Sequence, residues 1–147
     1  MEAEAICALA PPGELDCRLL LVEDDRDHQP LLALMLHKAG AKVTVAENGE
    51  VAIELARAAC AADEPFDIVV MDLQMPVLDG VAATRELRAK GFTKPIIALT
   101  ARAISTDRDQ CLAAGCDGFL SKPVTRIDLV RLLVTHLRRS RATPHPS

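Results

Sequence analysis

The sequence has no tryptophan and no tyrosine, and its aromatics stop at Phe66, Phe92 and Phe119. Rings on which single-stranded bases could stack are therefore missing. Basic excess is missing too, because 17 Lys and Arg stand against 21 Asp and Glu, for a formal net charge of −4. No overall positive field exists to attract nucleic acid or an anionic membrane surface. The apolar runs, such as 19–22 and 31–36, never exceed six residues and fall far short of the ~18–20 that span a bilayer. Residues 1–17 contain no Lys or Arg and are broken by Pro11-Pro12-Gly13, unlike a signal peptide, so a cytoplasmic setting follows.

Glycine-rich phosphate loops of the GxGxxG or GxxxxGKS/T type are absent, so no nucleotide cradle is expected. A GxSxG nucleophile elbow is absent as well. Cys7, Cys17, Cys60, Cys111 and Cys116 form no CxxC pair and have no histidine at metal-ligand spacing. The expectation is reduced, mostly buried thiols.

What is present is a 147-residue chain, 50% hydrophobic and 26% charged, enough for one well-filled core. Apolar runs at 18–22, 42–46, 68–71, 95–100 and 118–120 alternate with helical patterns at 28–39, 50–59, 81–90, 106–114 and 126–137. Asp27 is expected to cap the first helix, with Pro30 in its first turn. Gly40, Gly91 and Gly115 each follow a helical pattern, where a left-handed residue ends a helix most cheaply. Arg138, Arg139 and Arg141 crowd the end of the last helix, where positive charge suits the dipole. Five strand–helix units with near-continuously apolar strands predict a doubly wound α/β fold with a parallel sheet. Ligands of such sheets bind beyond the carboxyl ends of the strands.

At those ends the sequence places Glu23, Asp24 and Asp25 after the first strand, Asp72 at the end of the third, Thr100 at the end of the fourth, and Lys122-Pro123 after the fifth. Clustered carboxylates need an offsetting cation, and Mg²⁺ is commonly held by one or two carboxylates together with phosphate oxygens. Lys122 and Thr100 add an ammonium and a hydroxyl, which together suit phosphoryl transfer. Asp72 is the best nucleophile candidate.

Four motifs carry a resemblance: Leu-Val-Glu-Asp-Asp at 21–25, Val-Val-Met-Asp-Leu-Gln-Met-Pro-Val-Leu-Asp-Gly at 69–80, Ile-Ile-Ala-Leu-Thr-Ala at 96–101, and Gly-Phe-Leu-Ser-Lys-Pro at 118–123. In this order they resemble the receiver domain of two-component response regulators, over nearly the whole globular part. The resemblance implies a flavodoxin-like five-stranded parallel sheet of order 2-1-3-4-5, with residues 18–138 as the receiver, 1–17 as a disordered linker or tail, and 139–147 as a C-terminal tail. It also implies that Asp72 is phosphorylated and that Glu23, Asp24, Asp72 and the Gln74 carbonyl form the Mg²⁺ site. Thr100 is then the switch hydroxyl, Lys122 the phosphoryl partner, Phe119 the aromatic that follows Thr100, and Pro123 the residue after a cis bond. The implied partner is a histidine kinase or a histidine-phosphotransfer protein.

Within the family the motifs are most similar to receivers of hybrid sensor histidine kinases, while a stand-alone regulator remains the alternative. Such receivers often carry Asn where this chain has His28, which either starts a helix or adds a titrating charge beside the site. An aspartyl-nucleophile, metal-dependent phosphatase would want a DxD pair, and Asp72-Leu73-Gln74 lacks the second acid. The first helix is apolar round more than one face, through Leu31, Leu32, Leu34, Met35 and Leu36. It offers either a wide core stripe or a docking patch for a helical bundle.

Overall fold

The computed structural model describes residues 15–73, 80–100 and 105–142. The elements alternate strictly: β1 (Arg18–Val22), α1 (His28–Lys38), β2 (Lys42–Ala46), α2 (Gly49–Ala61), β3 (Ile68–Asp72), α3 (Gly80–Ala89), β4 (Ile96–Thr100), α4 (Ser105–Ala114), β5 (Gly118–Ser121) and α5 (Arg126–Ala142). Every strand pairing is parallel, in the order β2-β1-β3-β4-β5. The order reverses beside β1, which places β1 and β3 at the switch point where α/β sheets hold their ligands.

Side chains of the central strands alternate between two cores, because successive residues of a strand point to opposite faces. Leu19, Leu21, Ile68, Val70, Ile97 and Leu99 pack on one face with α1 and α5. Leu20, Val22, Val69, Met71, Ile96 and Ala98 pack on the other with α2, α3 and α4. Both faces being covered explains why these strands read as unbroken apolar runs. β2 is an edge strand, and all its residues but Ala46 are at least half-exposed or partly open.

Several boundaries differ from the sequence expectation. Leu15 and Cys17 are buried in the core, with the Leu15 amide donating to the Ala39 carbonyl (2.8 Å), so the packed unit begins before residue 18. α5 continues to Ala142, since no helix breaker occurs before Pro144. Residues 1–14 and 143–147 lie outside the described residues.

Asp27 does not cap α1: its backbone is already helical (φ −80°, ψ −33°) and its side chain makes no capping bond. Asp25 does that work instead. Its carbonyl accepts from the amides of His28 (3.1 Å) and Gln29 (2.9 Å), and its Oδ1 from the amide of Asp27 (2.8 Å). On α1, Leu32 and Leu36 are buried whereas Leu31 and Leu34 are exposed, so Leu36 belongs to the core and not to an outer patch. Gly40, Gly91 and Gly115 all have positive φ, as expected of residues that end helices.

The cysteines also depart from expectation. Cys111 and Cys116 form a disulfide, with their Cα atoms 5.5 Å apart. The chain reversal at Gly115 brings the pair together, and a spacing of five residues across a helix end gives no familiar sequence signal. Among the described residues, no helix is long and apolar enough to cross a membrane.

Candidate functional site

The site forms where three strands end side by side. Val22 of β1 pairs with Met71 of β3, so Glu23 and Asp72 each follow one residue later, at the same level. The chain at Glu23 is fixed from two sides: its amide donates to the Ala46 carbonyl (3.0 Å), and Gln29 Nε2 donates to its carbonyl. Glu23 and Asp72 are buried and Asp24 is half-buried. One carboxylate oxygen from each of the three lies within 4.8 Å of the others.

Lys122 closes the cluster from the other side. Its amide donates to the Thr100 carbonyl (2.6 Å), which continues the β4–β5 ladder by one residue and brings the side chain inward. Lys122 Nζ donates to Glu23 Oε1 (3.2 Å) and to Asp72 Oδ2 (3.3 Å). The Lys122–Pro123 bond is cis. Thr100 ends β4, the strand next to Asp72, and is buried. Phe119 of β5 is half-buried and packs against the core on the α2–α4 face.

The electrostatics follow from burial. Loss of water pushes the Glu23 carboxyl up to about 7, and its hydrogen bond and charge contact with Asp72 push the same way. Lys122 and the Asp25 amide pull it back only in part. For Lys122, burial disfavours the charge, but Asp72 and Glu23 outweigh it and hold the ammonium above its ordinary value. Asp25, outside the cluster, is lowered by the hydrogen bond from the Asp27 amide, with His28 adding to the effect. His28 Nδ1 lies 3.4 Å from Asp25 Oδ2, so His28 faces Asp25 and not the buried carboxylates.

Three carboxylates facing one ammonium leave the ionised cluster two negative charges in excess. A hard divalent cation with oxygen ligands fits that excess and that donor set. Glu23, Asp24, Asp72, Thr100 and Lys122 are thus brought to one sheet edge as expected, whereas Gln74 lies outside the described residues.

Two supporting residues escaped the sequence reading. Gly80 begins α3 directly over β3, and a Cβ there would lie 2.4 Å from the Asp72 carbonyl oxygen. Arg88 of α3 donates to the carbonyls of Phe92 (2.8 Å), Lys94 (2.7 Å) and Gly115 (2.9 Å), and pairs with Asp117 (2.7 Å). The glycine had a weak signal, as the last residue of the Asp72 motif. The arginine had none.

The sequence profile described as "Response regulator receiver domain" matches residues 19–134. The chain is 44% identical over 111 residues to the two-component response regulator ORR41 of Oryza sativa subsp. japonica, covering 74% of this chain and 85% of that one. It is 35% identical over 123 residues to the osmosensing histidine protein kinase SLN1 of Saccharomyces cerevisiae, covering 82% of this chain but 10% of the kinase. Among solved structures, the receiver domain of sensor histidine kinase PA1611 from Pseudomonas aeruginosa superposes with a TM-score of 0.74 at 40% identity, covering 83% of this chain and 98% of that one. That structure holds a magnesium ion coordinated in its active-site cleft.

Proposed function

The chain belongs to the response regulator receiver domain family of two-component signalling, and on that footing we propose that Asp72 is its phosphoryl acceptor. The observation that carries this reading is the seat of the Asp72 carboxylate, buried between two acids and the ammonium of Lys122. The donor is a phosphohistidine on a histidine kinase or a histidine-phosphotransfer protein, met in the cytoplasm. An Asp72 oxygen bonds to phosphorus as the P–N bond to the imidazole breaks, giving an acyl phosphate and a free histidine.

The residues divide the work by charge. Lys122, already beside Asp72, neutralises negative charge on the transferring phosphoryl oxygens. Thr100 offers a hydroxyl from the adjoining strand end, and its turn towards the acyl phosphate lets Phe119 follow, shifting the balance of two arrangements of the α4–β5–α5 face. Glu23, Asp24 and Asp72, with the Gln74 carbonyl, are the residues that would hold Mg²⁺. When bound, the ion supplies positive charge to the phosphoryl oxygens.

Two readings of the parent protein follow. The motifs support a receiver from a hybrid sensor histidine kinase, of which the matched segment of the yeast kinase is an example at 10% of that protein's length. The rice regulator, matched over 85% of its length, favours a stand-alone regulator as the second reading.

Intact mass after incubation with acetyl phosphate or phosphoramidate tests the assignment. The expected result is one added phosphoryl that requires Mg²⁺ and is absent from Asp72→Asn. An Asp72→Asn protein that is labelled as fully as the wild type would overturn it.

A further inference from the structure

Phosphoryl chemistry at the sheet edge makes no use of the paired cysteines at the opposite end of β5. Cys111 lies in the last turn of α4 and Cys116 two residues before β5. Gly115 between them takes φ +117°, and the amides of Gly115 and Cys116 both return to the Cys111 carbonyl (3.2 and 3.0 Å). That reversal sets the two Cα atoms 5.5 Å apart, within the range a disulfide requires. Cys116 Sγ also touches Thr84 Oγ1 of α3 at 3.7 Å. The sulfurs therefore sit where α3, the end of α4 and the approach to β5 meet. α4 itself lies in sequence between the strand that ends in Thr100 and the strand that leads to Lys122.

We propose that Cys111 and Cys116 are a reversible dithiol–disulfide couple that restrains α4. The oxidant is a small disulfide of the glutathione class. Cys116, the less buried of the two (6% exposed against 0%), attacks first as a thiolate. Its sulfur bonds to one oxidant sulfur while the oxidant's S–S bond breaks and one thiolate leaves. Cys111, deprotonated in turn, displaces the second thiolate and closes the Cys111–Cys116 bond. Two protons pass to the departing thiolates, and two electrons pass from the cysteines to the oxidant, which ends as two small thiols. The closed ring ties the last turn of α4 to the entrance of β5 and removes open states of that helix end. Any effect on signalling rests on the receiver reading, whereas the couple itself does not.

The test uses the full chain equilibrated in glutathione buffers of graded ratio, then unfolded, labelled with maleimide and weighed. Oxidising buffer is expected to withdraw Cys111 and Cys116 together from labelling, and peptide mapping to place the bond between them. Amide hydrogen exchange across 105–114 is expected to slow by about threefold or more on oxidation. Cys111→Ser and, should it fold poorly, Cys116→Ala are each expected to exchange alike in both buffers. Five labels at every ratio, a bond mapped elsewhere, or equal exchange in the two wild-type states would overturn the proposal. Phosphoryl uptake, measured separately, tests the receiver reading without bearing on the thiol count.

Discussion

Gly80 lies so close over Asp72 that a β-carbon would come within 2.4 Å of the Asp72 carbonyl oxygen and 2.6 Å of the Leu73 α-carbon. The Gly80 amide donates to the Leu73 carbonyl (3.1 Å), so the start of α3 is tied to the end of the strand that carries Asp72. Both obstructing groups are backbone, and neither can turn aside. Gly80→Ala is therefore expected to destabilise the fold by about 2 kcal/mol or more and to slow phosphoryl uptake in the fraction still folded. Urea unfolding followed by circular dichroism, with mass-based labelling at low urea, reads both. An alanine variant matching the wild type in both would show that the backbone yields.

Arg88 offers a second case in which one side chain holds several segments. Its guanidinium satisfies three carbonyls and Asp117, and the Asp117 carboxylate in turn accepts from the Ile96 amide (2.9 Å) at the start of β4. Removing the guanidinium leaves partly buried carbonyls without a donor, and Arg88→Ala is expected to cost about 2–4 kcal/mol. Arg88→Lys should recover little, because a single ammonium cannot reproduce the planar fork. Unfolding midpoints of the two variants decide this.

The raised Glu23 carboxyl gives metal-free protein a definite pH profile. A folded value of about 7 against the ordinary 4.5 means that the fold binds this proton more tightly than the unfolded chain does. The corresponding stability is fully present below about 4.5 and is lost as pH rises through about 7. Lys122, held above its ordinary 10.5, stays charged throughout that window and contributes no slope there. Unfolding in EDTA across the window should show wild type losing stability relative to Glu23→Gln as pH rises. A constant difference between the two would refute the profile.

Cation binding should show the same linkage from the other side. Asp24 is the half-buried member of the carboxylate cluster. Asp24→Asn is expected to weaken Mg²⁺ binding about tenfold or more, and wild-type affinity should rise as pH passes through about 7, where Glu23 gives up its proton. With neither tryptophan nor tyrosine in the chain, titration calorimetry is the suitable method.

Strand ends were the most legible part of the sequence. In a parallel sheet every carboxyl end lies on one edge, so Glu23, Asp24, Asp72, Thr100 and Lys122 could be placed together from the order of the strands alone. Helix ends marked by Gly40, Gly91 and Gly115 were legible for a similar reason, since the signal is local. Asp25 displaced Asp27 as the organiser of the α1 entry because two acids in one loop compete, and composition does not rank them. Arg88, Gly80 and the Cys111–Cys116 pair depend on how α3, α4 and the sheet come to rest on one another. No periodicity encodes that contact.

Lys122 and Glu23, in contact across the site, are separated by 99 positions in the chain. The surroundings of Asp72 therefore come into being only when β1 and β5 occupy the same sheet. A nascent chain that has released β1 through β4 already carries Asp72 and its neighbouring acids but lacks the ammonium opposite them. The charge balance around Asp72 is consequently set by the entry of β5 into the sheet, not by the strand that carries Asp72.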